Sequence, residues 1–354
     1  MEDCVSVLAP YVKIGLQNGQ LFLGFGSIQR SYKDPAEIDL VTRIAEAWRT
    51  PQTPQQVINR FNRSHPADLI DRVIATFIDG HYLIPSGSFD SQNRHSRHEL
   101  FFALSGADAI ATQARLHRKH VLILGCGGIG NILALSLATA GIGRLTLVDH
   151  DQIELSNLTR QIAFREADVG ASKVTTLREA LLQRASNVEV DVLDLRISNP
   201  NDLSRLSSAD LFLLSADSPR IVDWTNAYCV RNRIPFLNAC YIEDIAVWGP
   251  FVIPRKTGCW GCHNVVASTA EANTHMAQLM QSVNSGYRPP SFGPLNYLAA
   301  SLATMDAIKF LGEFGEVQSL NKRIGLWTHS LKLETQDFSR NPECQVCGDN
   351  SDYF

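Results

Sequence analysis

No stretch of about 18 consecutive apolar residues occurs in the chain, so no membrane-spanning helix is expected. A surplus of positive charge is missing as well. The 32 Lys+Arg stand against 36 Asp+Glu, a formal net charge of -4. Binding to DNA or RNA through bulk charge needs a strong basic excess, so no nucleic-acid partner is expected. The start of the chain, Met1 to Lys13, lacks the basic segment, apolar stretch and small-residue cleavage site of a secretory signal. The expected compartment is the cytoplasm, where disulfides are rare. Internal repeats, low-complexity tracts and charge blocks are also absent. What remains is 354 residues, 45% hydrophobic and 19% charged, which is length for about two domains and a large core.

Four of the eight cysteines form two pairs, Cys259-Trp-Gly-Cys262 and Cys344-Gln-Val-Cys347. In a reducing compartment two such knuckles read as a tetrahedral Zn2+ site, each short spacer letting one turn present two thiolates. Four thiolates leave no coordination position open, so the expected role is structural. Cys4, Cys126, Cys229 and Cys240 are scattered, and buried small apolar residues are their default reading.

Residues 1–88 differ in texture from the rest. Tyr11–Gly15 and Gln20–Gly24 read as strands around an Asn18-Gly19 turn. Apolar residues at Ile38, Val41, Ile44, Ala45 and Trp48 keep helical spacing. Thr53-Pro54 opens a second helix as N-cap and first residue. Leu69–Ile78 gives a third helix and Tyr82–Pro85 a last strand. A hairpin with three helices reads as a winged-helix-like module. A turn-rich linker follows, and Arg97 to Arg115 is expected to form one helix, so that 89–118 joins the module to a second domain at 119–354. That second domain opens with the apolar run His120–Leu124, a glycine turn, a helical pattern over Asn131–Ala140, and Leu145–Val148 ending in Asp149. Strand, turn, helix and strand make one βαβ unit of an α/β, Rossmann-like parallel sheet. Lys173–Ala185 is a further helix, and Val188–Val192, Leu211–Leu214, Pro235–Asn238 and Ala246–Trp248 are later strands.

The glycine turn, Gly125-x-Gly127-Gly128-x-Gly130, matches a dinucleotide-binding fingerprint in its required context. Gly125 permits the tight turn, Gly127 lets backbone approach phosphate, and Gly130 lets helix pack on strand. The helix N-terminus beyond offers free N–H groups to an anion. Asp149 ends the second strand, where a carboxylate can accept from a ribose hydroxyl. This pattern alone fits NAD as well as ATP. The next segment distinguishes them. Asp149 and Asp151 alternate, one aimed at the ribose and the other free for a cation. Asn157, Arg160 and Gln161 lie about one helical turn apart, and Lys173 adds a second cation. Cations gathered beside a ribose-binding carboxylate fit the triphosphate of ATP better than a nicotinamide. No catalytic His or Tyr-x-x-x-Lys arrangement of a dehydrogenase accompanies them.

This combination resembles the adenylating domain shared by ThiF, MoeB and the ubiquitin-activating enzymes. The resemblance implies an adenylyltransferase in which the glycine turn, Asp149, Asp151, Asn157, Arg160, Gln161 and Lys173 bind ATP, and Cys259, Cys262, Cys344 and Cys347 hold Zn2+. Asp217, in Ser-Ala-Asp-Ser, matches the family's Mg2+-binding Asp. Arg94-His-Ser-Arg97-His98 is similar to a family motif whose second Arg reaches the phosphates held by the partner subunit. Arg97 is thus an expected catalytic residue beside Asp217, Arg160 and Lys173, and a homodimer is expected. In this chain His95 and His98 replace that motif's Tyr and Gln. Trp224–Arg231, Asp244–Pro250 and Leu320–Trp327 are similar to the MccB subgroup, peptide-modifying enzymes of microcin C maturation. That likeness implies a ribosomal precursor peptide as partner, recognised by residues 1–88, with an edge of the Tyr11–Gly24 hairpin as the strand it adds to.

The expected chemistry is ATP-dependent activation of a peptide carboxylate during peptide-antibiotic maturation. Two other outcomes stay open: cyclising dehydration of side-chain carboxylates, as in PaaA-like enzymes, and activation of a sulfur-carrier protein as in ThiF and MoeB. Cys240 stands where the resemblance implies Gly, beside the expected reaction centre. The stretch from about Ala267 to Pro294 has no cysteine, so thioester transfer there is not expected, and its Gly, Pro, Ser and Asn content suits a lid.

Overall fold

A computed structural model describes residues 4–218, 220–262 and 275–349 and divides the chain into two compact units, 1–114 and 115–354. The N-terminal unit starts with β1 (Ser6–Leu8), β2 (Ile14–Gln17), β3 (Gln20–Leu23) and β4 (Arg30–Tyr32). Strands β2, β3 and β4 form an antiparallel sheet with β3 at its centre. Both Asn18 (φ 50°) and Gly19 (φ 75°) are left-handed, as a two-residue hairpin turn of this hand requires. Three helices follow: α1 (Pro35–Ala47), α2 (Pro54–Phe61) and α3 (Ala67–Asp79), then β5 (Leu83–Pro85), which pairs with β1. Thr53 and Gln56 cap α2 reciprocally, each side chain bonded to the other's backbone N–H.

The helices bury one apolar stripe each around Trp48, Phe77 and Tyr82, all fully buried. Phe77 meets Trp48 at 5.3 Å between ring centroids and Tyr82 edge-on at 5.6 Å. The expected single helix over Arg97–Arg115 is instead two, α4 (Ser96–Leu104) and α5 (Ala109–His117). The break falls at Gly106, whose φ of +80° no right-handed helix contains. A side chain there would also meet the His81 ring, 2.8 Å from the position of its Cβ.

The C-terminal unit runs β6 (His120–Leu124), α6 (Gly128–Ala140), β7 (Arg144–Asp149), α7 (Lys173–Leu182), β8 (Glu189–Asp194), β9 (Leu211–Leu214), α8 (Ile221–Asn232), β10 (Phe236–Ile242) and β11 (Ile245–Val252). After the undescribed residues come α9 (His275–Asn284), α10 (Gly293–Gly312), β12 (Lys322–Trp327) and β13 (Leu333–Asp337). Eight strands make one sheet in the order β13-β12-β11-β10-β9-β6-β7-β8. From β8 to β10 all pairs are parallel; from β10 to β13 all are antiparallel. The sheet is therefore mainly parallel, with an antiparallel side the sequence did not announce. β6 and β9 read as continuous apolar runs because both sheet faces are covered, leaving Val121–Ile123 and Leu211–Leu214 with no exposed surface. Strand order reverses between β6 and β9, the position where open α/β sheets leave a crevice beyond their C-terminal ends.

Phe77→Ala removes the ring that joins the Trp48 and Tyr82 contacts. The expected loss is about 3–5 kcal/mol of stability in the N-terminal unit, read by urea unfolding followed through tryptophan fluorescence.

Candidate nucleotide and metal sites

At that crevice the structure has a cavity of about 1480 Å3, lined by residues from the C-terminal ends of β6, β7, β9 and β10. The turn after β6 is crowded at two glycines and open at a third. A Cβ on Gly125 (φ +95°) would lie 2.6 Å from the Ala216 nitrogen at the end of β9. One on Gly130 would lie 1.9 Å from the Gly125 carbonyl oxygen. By contrast a Cβ on Gly127 would meet nothing within 4 Å, so its bare backbone faces the cavity. Helix α6 starts at Gly128, earlier than its apolar pattern suggests, with Gly127 as N-cap and no side-chain cap. Its first N–H groups are thus left for a ligand, and the helix dipole favours an anion there.

Asp149 ties this turn to β7. Its Oδ2 accepts from the Cys126 N–H at 2.7 Å and its Oδ1 from the Asp151 N–H at 2.9 Å. Each oxygen keeps a lone pair for a ribose hydroxyl. Asp151 points elsewhere and pairs with Lys173 Nζ at 2.7 Å. Partial burial pushes the Asp151 carboxyl up, but the Lys173 hydrogen bond and charge outweigh it and hold the carboxyl below its usual range. Lys173 is itself buried, so its aliphatic stem is fixed and its charge is already partnered.

Asn157 and Arg160 sit on a 3-10 turn, Leu155–Thr159 and its C-cap, where the sequence suggests an α-helical turn. Asn157 Oδ1 accepts from the Glu154 N–H at 3.2 Å, and Arg160 Nη1 donates to the Ser156 carbonyl at 2.9 Å. The Arg160 stem lies over the start of α6, its Cγ 3.2 Å from where a Gly128 Cβ would be. Gln161 is buried with its Oε1 unpartnered, and its side chain also lines the cavity. Asp217, just past β9, is exposed to the cavity, and no hydrogen bond holds its carboxylate among the described residues. Such a carboxylate near a helix N-terminus could hold Mg2+, a hard cation that takes one or two carboxylates and keeps its other ligands as water or phosphate.

Several lining residues, Asn296, Asn238, Arg323 and Trp260, are not among the expected site residues. Asn296 lies on α10, buried, with Oδ1 2.8 Å from the Gly128 Cβ position and Nδ2 donating to the Phe292 carbonyl at 2.8 Å. A lone Asn in the apolar α10 segment is the clue that could have found it. Asn238, Cys240 and Arg323 line the same cavity, as does Trp260 of the first cysteine pair. Cys240 is half-buried; burial pushes its thiol up while the Arg323 charge pulls the other way. Arg97 belongs to the N-terminal unit, exposed on the first turn of α4. Residues 267–274 of the expected lid lie outside the described residues.

The two cysteine pairs converge. All four Sγ atoms are buried and within 4.8 Å of one another, with Cys259–Cys344 at 3.7 Å and Cys262–Cys347 at 3.3 Å. Tetrahedral Zn–S bonds of about 2.3 Å require Sγ separations near 3.8 Å, so the set fits Zn2+ with little adjustment. Backbone and amide N–H groups point at the sulfurs: Asn226 Nδ2 to Cys259 at 3.5 Å and the Asn341 N–H to Cys262 at 3.4 Å. These donors stabilise thiolates. Contact between the two sulfur groups pushes the Cys259 thiol up and the Cys262 thiol down. The four sulfurs belong to the same apolar cluster as Phe212, Phe236 and Cys229. Metal there would staple residues 341–349 to the sheet. Chelation, or Cys347→Ser, is expected to release one zinc per chain and cost more than about 4 kcal/mol of stability, measured by metal analysis and thermal melting together.

Comparison with known proteins places this geometry. E. coli MccB, solved with MccA-N7isoASN, superposes with a TM-score of 0.91 at 36% identity, covering 98% of this chain and 100% of that one. The same protein solved with ATP gives 0.89 at 36% identity, covering 97% of this chain and 100% of that one. The Molybdopterin-synthase adenylyltransferase of Salmonella typhimurium is 28% identical over 67% of this chain and 90% of its own length. PaaA shares the fold, with a TM-score of 0.69 at 18% identity over 94% of this chain and 99% of that one. The ThiF family model matches residues 95–346, the stretch that holds the glycine turn and three of the four clustered cysteines, and the chain belongs to the ThiF family.

Proposed function

We propose that this protein is an ATP-dependent adenylyltransferase that activates a carboxylate of a ribosomally made precursor peptide, as part of peptide-antibiotic maturation. One observation carries the peptide over the alternatives. The family model begins at residue 95 and the molybdopterin-synthase adenylyltransferase matches 67% of the chain, whereas the likeness to MccB extends over 98% of it. The N-terminal unit is therefore common to this chain and a protein solved with MccA. It is not accounted for by sulfur-carrier activation. Within that unit β2 is a sheet edge, with Leu16 exposed on it, and an extended peptide can add there.

The chemistry joins two anions that repel each other. A carboxylate oxygen attacks the α-phosphorus of ATP, forming an O–P bond as the bond to the β-phosphate oxygen breaks and pyrophosphate leaves. The α6 N-terminus and Gly127 receive phosphate oxygens, Asp149 takes the ribose, and Asn157 and Gln161 close the cavity around them. Arg160 and Lys173 offset the charge that builds on the departing pyrophosphate. Lys173 has three donors and can keep Asp151 while contacting phosphate. Asp217 would hold Mg2+, which neutralises phosphate oxygens when bound. In this reading the protein acts in the cytoplasm as a homodimer, with Arg97 of each subunit serving its partner's phosphates.

Incubation with ATP, Mg2+ and the precursor peptide is expected to release pyrophosphate and change the peptide's mass. Asp217→Ala should lower peptide-dependent turnover at least about 100-fold while leaving peptide affinity intact. Arg97→Ala should be similarly inactive alone. If Arg97 acts across a two-fold axis, mixing the two inactive variants and letting subunits exchange restores about one quarter of wild-type activity. No recovery on mixing would place Arg97 outside the partner's site.

A further inference from the structure

The cavity has two ends of different character. At the nucleotide end Lys173 is engaged with Asp151, and Arg160 with the Ser156 carbonyl. The other end holds Arg323, on β12. Its guanidinium lies over the Trp260 ring, 5.2 Å from the centroid. Among the described residues no carboxylate pairs with it. Its Nε is buried without a partner, and its one hydrogen-bond contact is Nη2 to the Cys240 sulfur at 3.7 Å. Arg323 is half-buried, and thiol sulfur is among the weakest acceptors, so beyond the Trp260 ring face its donors are poorly answered.

A second donor converges on the same sulfur. Asn238 is buried, and its Nδ2 stands 4.0 Å from Cys240 Sγ, at the limit of a contact to sulfur. Asn238 also sits where the β10–β11 register shifts, between Leu237 and Ala239. Such bulges re-aim a side chain, and this one lies on the cavity wall. The guanidinium is held in place from behind. Trp260 stacks on Phe338 at 5.6 Å and donates its backbone N–H to Asn226 Oδ1 at 3.1 Å. Asn226 in turn contacts the Cys259 sulfur. The cysteine cluster thus orients the plate on which Arg323 rests.

Building on the adenylation reading, we infer that Arg323 and Asn238 form the subsite that receives the peptide's carboxylate, the acceptor their N–H groups lack. The unpartnered Nε–H and the weakly answered Nη2 group can hold one carboxylate oxygen once it enters beside them. The second oxygen stays free to attack phosphorus. The guanidinium also screens the carboxylate from the triphosphate it must approach. A terminal amide carries no charge and offers one acceptor oxygen, so the subsite discriminates against it.

The test uses the full chain and a random-sequence library of synthetic heptapeptides, prepared once with free C-terminal carboxylates and once as C-terminal amides. Bound peptides are quantified by affinity selection and mass spectrometry, and ATP affinity by calorimetry. Wild-type protein is expected to favour carboxylate over amide by about tenfold or more. Arg323→Gln should bring the ratio close to one, Arg323→Lys should recover part of it, and ATP affinity should stay within about twofold in both, which also reports that each variant is folded. An unchanged ratio in Arg323→Gln overturns the subsite. So does a wild-type protein without preference, or an ATP affinity that falls in step. Peptide-dependent pyrophosphate exchange separates this from the adenylation reading. A carboxylate preference without exchange in wild type leaves the subsite standing and defeats adenylation. Exchange in wild type that Arg323→Gln leaves intact defeats the subsite alone.

Discussion

Strands β6 and β9 end so close together that no side chain fits between them. The Ser215 and Ala216 N–H groups both donate to the Leu124 carbonyl, at 2.9 and 3.1 Å, and Ser215 Oγ donates to the Gly125 carbonyl at 2.8 Å. Gly125 then turns with a positive φ over the Ala216 backbone. This contact lies where the strand order reverses, and it decides what shares the cavity. Helix α6 must begin at once, presenting its N–H groups, and the chain leaving β9 must place Asp217 beside them. A helix N-terminus with free N–H groups and the Asp217 carboxylate line one cavity although nearly ninety residues separate them in sequence.

Charge in the cavity is arranged in the same economical manner. Asp149 spends its carboxylate on two backbone N–H groups and so fixes the turn, while Asp151 holds Lys173 in place. Buried cations with partners keep their orientation before a ligand arrives, which lowers the reorganisation a charged transition state demands. The cysteine cluster contributes to this through packing. By drawing residues 341–349 onto the sheet it sets Trp260 against Phe338 and, through Trp260, the direction of Arg323. A metal there can matter to the reaction without touching it.

Much of the site is local in sequence and was legible there. The strand–turn–helix around Gly125–Gly130 and Asp149 at a strand end each depend on residues within a few positions; the structure has both, with α6 starting three residues before the expected Asn131. The break between α4 and α5 was missed because a nineteen-residue stretch of good helix formers hides one glycine whose neighbour, His81, is distant in sequence. The 3-10 form of the Asn157–Arg160 turn escaped for a related reason: side-chain capping by Asn157 competes with the α-helical ladder, and spacing alone cannot rank the two.

The sequence by itself determined the groups available: a glycine turn at a helix start, a carboxylate at a strand end, two cations near it and four thiols in metal-ligand spacing. Tertiary structure alone decided which of those groups face one another, and it added Asn238, Asn296 and Arg323 to the cavity. Their places follow from α10 packing on α6 and from antiparallel pairing among β10, β11 and β12. Such long-range pairings depend on burial summed over the whole sheet, and no window of neighbouring residues contains that sum.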